Sequence, residues 1–188
     1  MTDRALLIRL GAMGDTLHAS SVALLLKKHA PQMEVDFLAA AGMGDLFKMV
    51  PSVTEVYCLP FRKIPFRVHP WWLALLRDLD RRSYKLAYLM ETNLRFLPLL
   101  TAIHADRKMT VGRMDDRGGL ELSQPNPVRY QIPLWDAGLV PRDICHPELV
   151  VNPGDAGRAG DLLVSLGLDP EAPLIGLHPG NSYQARKM

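Results

Sequence analysis

Cysteine is scarce in this chain: Cys58 and Cys145 are the only two in 188 residues. They offer no metal-ligand spacing and no disulfide framework. No apolar run approaches the ~18 residues of a membrane-spanning helix. The apolar start, Ala5 to Leu10, is interrupted by Arg9, so neither a transmembrane helix nor a cleaved leader is expected. Neither sign of charge dominates. Lys and Arg number 22 against 20 Asp and Glu, a net charge of +2, which does not fit a nucleic-acid binder. Repeats and low-complexity segments are missing as well. What remains is ordinary globular composition, 48% hydrophobic and 22% charged. That is enough for one domain with a full core, and the expected location is the cytoplasm.

The chain is organised around Arg9-Leu10-Gly11-Ala12-Met13-Gly14-Asp15-Thr16-Leu17-His18. Ala5 to Ile8, just before it, is too short for a helix and reads as a buried parallel strand. Ala19 to Lys28, after it, reads as a helix with cations in its last turn. Strand, glycine turn and helix follow one another, and the helix start offers N–H groups to an anion. Asp15 has two readings there: a helix N-cap, or a general base in an open cleft. The turn is neither G-x-G-x-x-G nor a P-loop, so it implies no dinucleotide fold and no NTPase.

Strands are also expected at Glu34–Ala39, Glu55–Leu59, Lys85–Met90 and Lys108–Gly112. Helices are expected at Ala40–Val50, Trp71–Arg82, Leu94–Ala105, Val128–Ala137 and Asp155–Leu166, the last two closed by Gly138 and Gly167. The alternation predicts an α/β fold with a doubly wound, Rossmann-like parallel sheet. Phe61 to Pro70 mixes Arg62, Lys63 and Arg67 with apolar residues. It reads as a surface connection or as a face for an anionic or amphiphilic partner such as a membrane surface. Asp78 and Asp80 form a D-x-D on a charged helix face and read as solvated. Glu91 and Asn93 close the fourth strand, where ligands of open parallel sheets bind, although Asn93 also suits a helix cap. Asp169 to Pro173 reads as a linker. Leu174 to His178 then starts a new strand that runs into a turn, Pro179-Gly180-Asn181-Ser182. The expected domains are therefore 1–168 and 169–188, the second cut short just after it begins. An unpaired strand there would favour self-association.

The two turns together resemble those of the ADP-heptose:lipopolysaccharide heptosyltransferases, glycosyltransferase family 9. The first match is Arg9 to Asp15 with Leu17-His18; the second is His178-Pro179-Gly180 with Lys187 a few residues on. The Trp-Pro pair that usually follows that lysine is missing. The resemblance covers the whole chain but about half of a family member. It implies a GT-B fold, here its N-terminal, acceptor-side domain. It also implies an inverting, metal-independent transfer of heptose from ADP-heptose, a substrate rather than a cofactor, to the lipopolysaccharide inner core. Asp15 matches the family's catalytic base. Gly11, Met13, Gly14, Gly180, Asn181, Ser182 and Lys187 match the donor-phosphate region. On the acceptor side stand Arg62, Lys63, Arg67, Glu91 and Asn93, with peripheral contact at the inner membrane.

Two rivals remain. A non-catalytic module built from one such half would bind a glycolipid or a partner chain through the basic loop 62–67. A nicotinamide-dependent enzyme fits poorly, because Asp36 lies inside the second strand rather than at its end.

Overall fold

The structure, a computed structural model, describes residues 3–59, 70–91, 94–111 and 126–177. Five strands form one parallel sheet: β1 (Arg4–Arg9), β2 (Glu34–Ala40), β3 (Glu55–Leu59), β4 (Tyr84–Leu89) and β5 (Ala105–Thr110). Their order is β3-β2-β1-β4-β5. The chain winds outward from β1 to β3, then returns to lay β4 on the other side of β1. The helices are α1 (Met13–His29), α2 (Gly44–Phe47), α3 (Pro70–Asp80), α4 (Leu97–Ala102), α5 (Asn126–Asp136) and α6 (Pro153–Ser165). A single turn of 3-10 helix, Leu94–Phe96, precedes α4.

Alternation along β1 sorts the core into two layers. Ala5 and Leu7 face a cluster with Val22, Leu26, Phe37, Tyr88, Tyr130 and Leu134. Leu6 and Ile8 face another with Trp72, Leu75, Leu79, Phe96 and Leu99. Helices α1 and α5 thus cover one face and α3 and α4 the other, as a doubly wound parallel sheet requires. Helix α1 is buried along most of its length, and small residues, Ala19, Ser20, Ser21 and Ala23, let its neighbours approach closely. Gln131 of α5 clamps a passing loop against it. Its amide donates to Ser21 Oγ at 3.0 Å and to the Cys145 carbonyl at 2.6 Å, and its oxygen accepts from Cys145 N at 3.0 Å. Pro133 sits inside α5. The Tyr88 hydroxyl donates to the Tyr130 carbonyl at 2.9 Å beside that interruption.

Contacts divide the chain into two units, Met1–Val150 and Val151–Met188, so that α6 falls in the second. Asn152 caps α6, its side chain accepting from Asp155 N at 2.8 Å. Gly138 and Gly167 end α5 and α6 with left-handed backbone, φ 65° and 76°. The N–H of Leu139 reaches the Leu134 carbonyl and that of Leu168 the Leu163 carbonyl, which satisfies last-turn acceptors.

Several boundaries differ from the sequence expectation. Helix α1 starts at Met13, six residues early, because extended Ala12 alone turns the chain into it. Helix α2 keeps only one turn. β2 runs on to Ala40, and Ala41 N then bonds to the Leu59 carbonyl, so those residues are taken by the sheet. Helix α4 stops at Ala102, since Ile103 turns extended to bury its side chain, and β5 begins at Ala105. Exposed charges at Asp106, Arg107 and Lys108 mask the start of β5, which begins three residues before the expected strand. Leu174 to Leu177 forms no strand and is exposed, Ile175 at 91% and Leu177 at 87%. Among the described residues no ladder partner meets it, and a strand's backbone groups need one.

Candidate active site

In an open parallel sheet the two halves of the winding part company at one point, and the loops beyond the strands leave a crevice there. Here that point lies between β1 and β4. Past the carboxyl end of β1 come Leu10, Gly11 and the start of α1. Past β4 come Met90 and Glu91. The organising stretch of the sequence therefore stands at the topological switch.

Asp15 is not the helix cap. Ala12 holds that position and contributes no capping side chain, while Asp15 is the third residue of α1, in its acidic first turn. The cap reading is corrected on geometry: one extended residue separates Gly11 from the helix, which leaves Asp15 inside it. The Asp15 side chain is 40% exposed, and its Oδ2 accepts from Arg9 Nη2 at 2.9 Å. Arg9 is the centre of the site. It closes β1 and is only 7% exposed. Its Nη1 donates to the Met90 carbonyl at 2.9 Å and to Glu91 Oε2 at 2.8 Å. Glu91 Oε1 accepts from Leu10 N at 2.6 Å. One guanidinium thus joins two carboxylates from opposite sides of the switch. Its charge also lies 5.6 Å from the centre of the Tyr130 ring. Burial pushes the Tyr130 phenol above its ordinary range, and the nearby Asp15 charge adds to this, while Arg9 and Arg129 oppose it. Arg129 stands over the same ring at 5.5 Å.

The glycines of the turn do different things. A Cβ on Gly11 would lie 2.7–2.8 Å from the Arg9 guanidinium, so Gly11 leaves the room in which Arg9 folds over the turn. A Cβ on Gly14 would meet nothing within 4 Å; that position faces open space. Met13 beside it is 59% exposed. The first turn of α1 presents backbone N–H groups there, and an anion suits them.

Of the residues singled out in the sequence, Gly11, Met13, Gly14, Asp15 and Glu91 come together at the switch. Arg62, Lys63, Arg67, Asn93, Gly180, Asn181, Ser182 and Lys187 lie outside the described residues. Asp78 and Asp80 are on the exposed face of α3, as read. Among the described residues no cluster of His, Cys, Asp and Glu has the arrangement of a metal site. Among them, too, no helix is long and apolar enough to cross a membrane.

No protein-family profile and no curated protein sequence matches the chain. Solved structures do. The glycosyl transferase family 9 protein from Veillonella parvula superposes with a TM-score of 0.80 at 16% identity, over 97% of this chain and 55% of that one. The chain shares the fold of that protein over the aligned length. The E. coli ADP-heptose lipopolysaccharide heptosyltransferase II matches at TM-score 0.64 and 24% identity, over 95% of this chain and 55% of that one. The E. coli heptosyltransferase WaaC, solved with ADP, matches at 0.55 and 15% identity, over 71% of this chain and 47% of that one. The chain spans about half the length of these structures. The doubly wound parallel sheet expected from the sequence is thus the one these structures share.

Sequence reasoning missed Arg9 as a site residue. The signal was present: a cation closes one strand at the glycine turn, and an acid follows another. Only the strand order makes them neighbours.

Proposed function

We propose that this chain is the acceptor-side half of an inverting glycosyltransferase that moves heptose from ADP-heptose to the lipopolysaccharide inner core. The observation behind this reading is the half-exposed Asp15 carboxylate, standing beside the open first turn of α1 at the sheet's switch point. In the reaction Asp15 takes the proton of the acceptor hydroxyl. That oxygen attacks the anomeric carbon as the bond to ADP breaks on the opposite face, so the configuration inverts. Chemistry of this kind needs no metal if donors gather the charge building on ADP. The backbone around Gly11, Met13 and Gly14 and the segment Gly180, Asn181, Ser182 and Lys187 are assigned that task. Arg62, Lys63, Arg67 and Asn93 are assigned to the anionic acceptor, at the cytoplasmic face of the inner membrane. Residues 1–168 then form the acceptor domain and 169–188 open the donor domain.

The test follows ADP release and product anomer with ADP-heptose and a deacylated inner-core acceptor. It compares the chain alone with the chain joined to the donor-binding half of a family 9 transferase. The joined form is expected to transfer with inversion and to lose roughly 10²–10⁴-fold on Asp15→Asn. The chain alone is expected to transfer barely or not at all. Retention of configuration, an unaffected Asp15→Asn variant, or full activity of the chain alone would each overturn the matching part of the proposal.

A further inference from the structure

A carboxylate that receives a proton has to point at it, and a displacement of about 1 Å can cost about a hundredfold in rate. Three observations show what aims Asp15. First, its Oδ2 is bonded to Nη2 of Arg9, while the other arm of the same planar fork, Nη1, is bonded to Glu91 and the Met90 carbonyl. A guanidinium is flat and rigid, so fixing one arm fixes the direction of the other. Second, Glu91 is itself held. Its second oxygen is bonded to Leu10 N at 2.6 Å, and its side chain is only 8% exposed. Third, Arg9 is buried over a glycine whose missing Cβ makes its space.

Resting on the reading of Asp15 as base, we propose that Glu91 is a positioning residue that sets the direction of the Asp15 carboxylate through Arg9. The aim is set from beyond β4, across the switch. Both oxygens of Glu91 are engaged with the protein, one on Arg9 and one on Leu10 N, which is what the positioning task requires.

Glu91→Gln keeps an acceptor for Leu10 N but presents an N–H₂ to Arg9 Nη1, donor against donor. Arg9→Lys keeps the charge and loses the fork; Arg9→Met loses both. The first readout needs no turnover. It is the Asp15 side-chain carboxyl ¹³C resonance and χ1 couplings in this chain, folded by circular dichroism. Both are expected to move in Glu91→Gln, because the bond from Glu91 to Arg9 is the one that fixes the fork. Unchanged values would overturn the proposal. The second readout is the kinetics of the joined enzyme. Glu91→Gln is expected to lower kcat about tenfold to a hundredfold with acceptor KM within about threefold, and Arg9→Lys to retain more activity than Arg9→Met. A rise in acceptor KM at unchanged kcat would mean that Glu91 binds acceptor, and would overturn the proposal. If the unsubstituted enzyme transfers nothing, the reading of function fails, and the resonance measurement still decides the positioning.

Discussion

The hydroxyl of Tyr84 donates to Oδ2 of Asp36 at 2.7 Å, at the amino end of the sheet and away from the switch-point crevice. Asp36 has no exposure, and two arginines share its charge, Arg4 at 3.2 Å and Arg82 at 3.6 Å. Arg4 also pairs with Glu34, and Arg82 lies over the Tyr57 ring at 5.4 Å. A buried carboxylate with three partners is stable only as a set. Asp36→Ala removes the shared acceptor and is expected to cost about 3–5 kcal/mol, whereas Tyr84→Phe should cost about 1–3 kcal/mol. Urea unfolding measures both; equal, small losses would show that the network contributes little.

Alkaline pH tests the same corner. Burial, helped by the hydrogen bond to Asp36, raises the Tyr84 phenol far above its ordinary range. Burial also raises Tyr57 to about 12 from 10.0. The folded protein thus holds phenolic protons that the unfolded chain releases above pH 10. With raised folded values the stabilisation is complete below pH 10 and declines as pH rises. Melting temperature should therefore fall steadily between about pH 10 and 12, and fall less steeply in Tyr84→Phe. Parallel slopes in the two proteins would count against the assignment.

Gly11 and Arg9 should be thermodynamically coupled. Gly11→Ala drives a methyl into a guanidinium that three acceptors hold in place. The expected cost is about 1–3 kcal/mol in the native background. It should shrink in an Arg9→Ala background, where the space is vacant. A double-mutant cycle reads this directly, with a coupling of about 0.5 kcal/mol or more expected. Strict additivity would mean that Gly11 is needed for its backbone and not for the room it gives Arg9.

Gln131 answers both backbone groups of Cys145 and the Ser21 hydroxyl from a fully buried position. Gln131→Leu strands those groups and is expected to cost about 2–5 kcal/mol, several times a typical surface change. Gln131→Glu should also destabilise, because its second oxygen would face the Cys145 carbonyl. Hydrogen exchange of the Cys145 amide would localise the loss. Protection unchanged from the native protein would remove the clamp from the account.

The sheet was legible because its inner strands state their burial plainly. Ala5 to Ile8 and Phe37 to Ala39 are apolar on both faces, and only a covered parallel strand needs that. The edge was harder, since β5 carries its charges in a row and, among the described residues, pairs on one side only. Asp15 was found by its place after the glycine turn, but its partners were not. Arg9 and Glu91 are 82 residues apart, and nothing local says that β4 returns to lie against β1. The stop signals at Gly138 and Gly167 were readable because left-handed backbone nearly names its residue. Leu174 to Leu177 has the composition of a strand, but strand formation depends on a neighbour, and sequence alone cannot supply one.

The charged run on β5 bears on more than the difficulty of reading it. A sheet edge is a template on which a stray chain can lay another strand. At this edge such a chain would meet Asp106, Arg107 and Lys108, with Lys108 Nζ already on the Thr101 carbonyl at 3.0 Å and Arg107 on the Ala137 carbonyl at 3.4 Å. Docking there would strip water from three charges and break both tethers. The charges that blur the start of this strand in the sequence also discourage fibril growth from its side of the sheet.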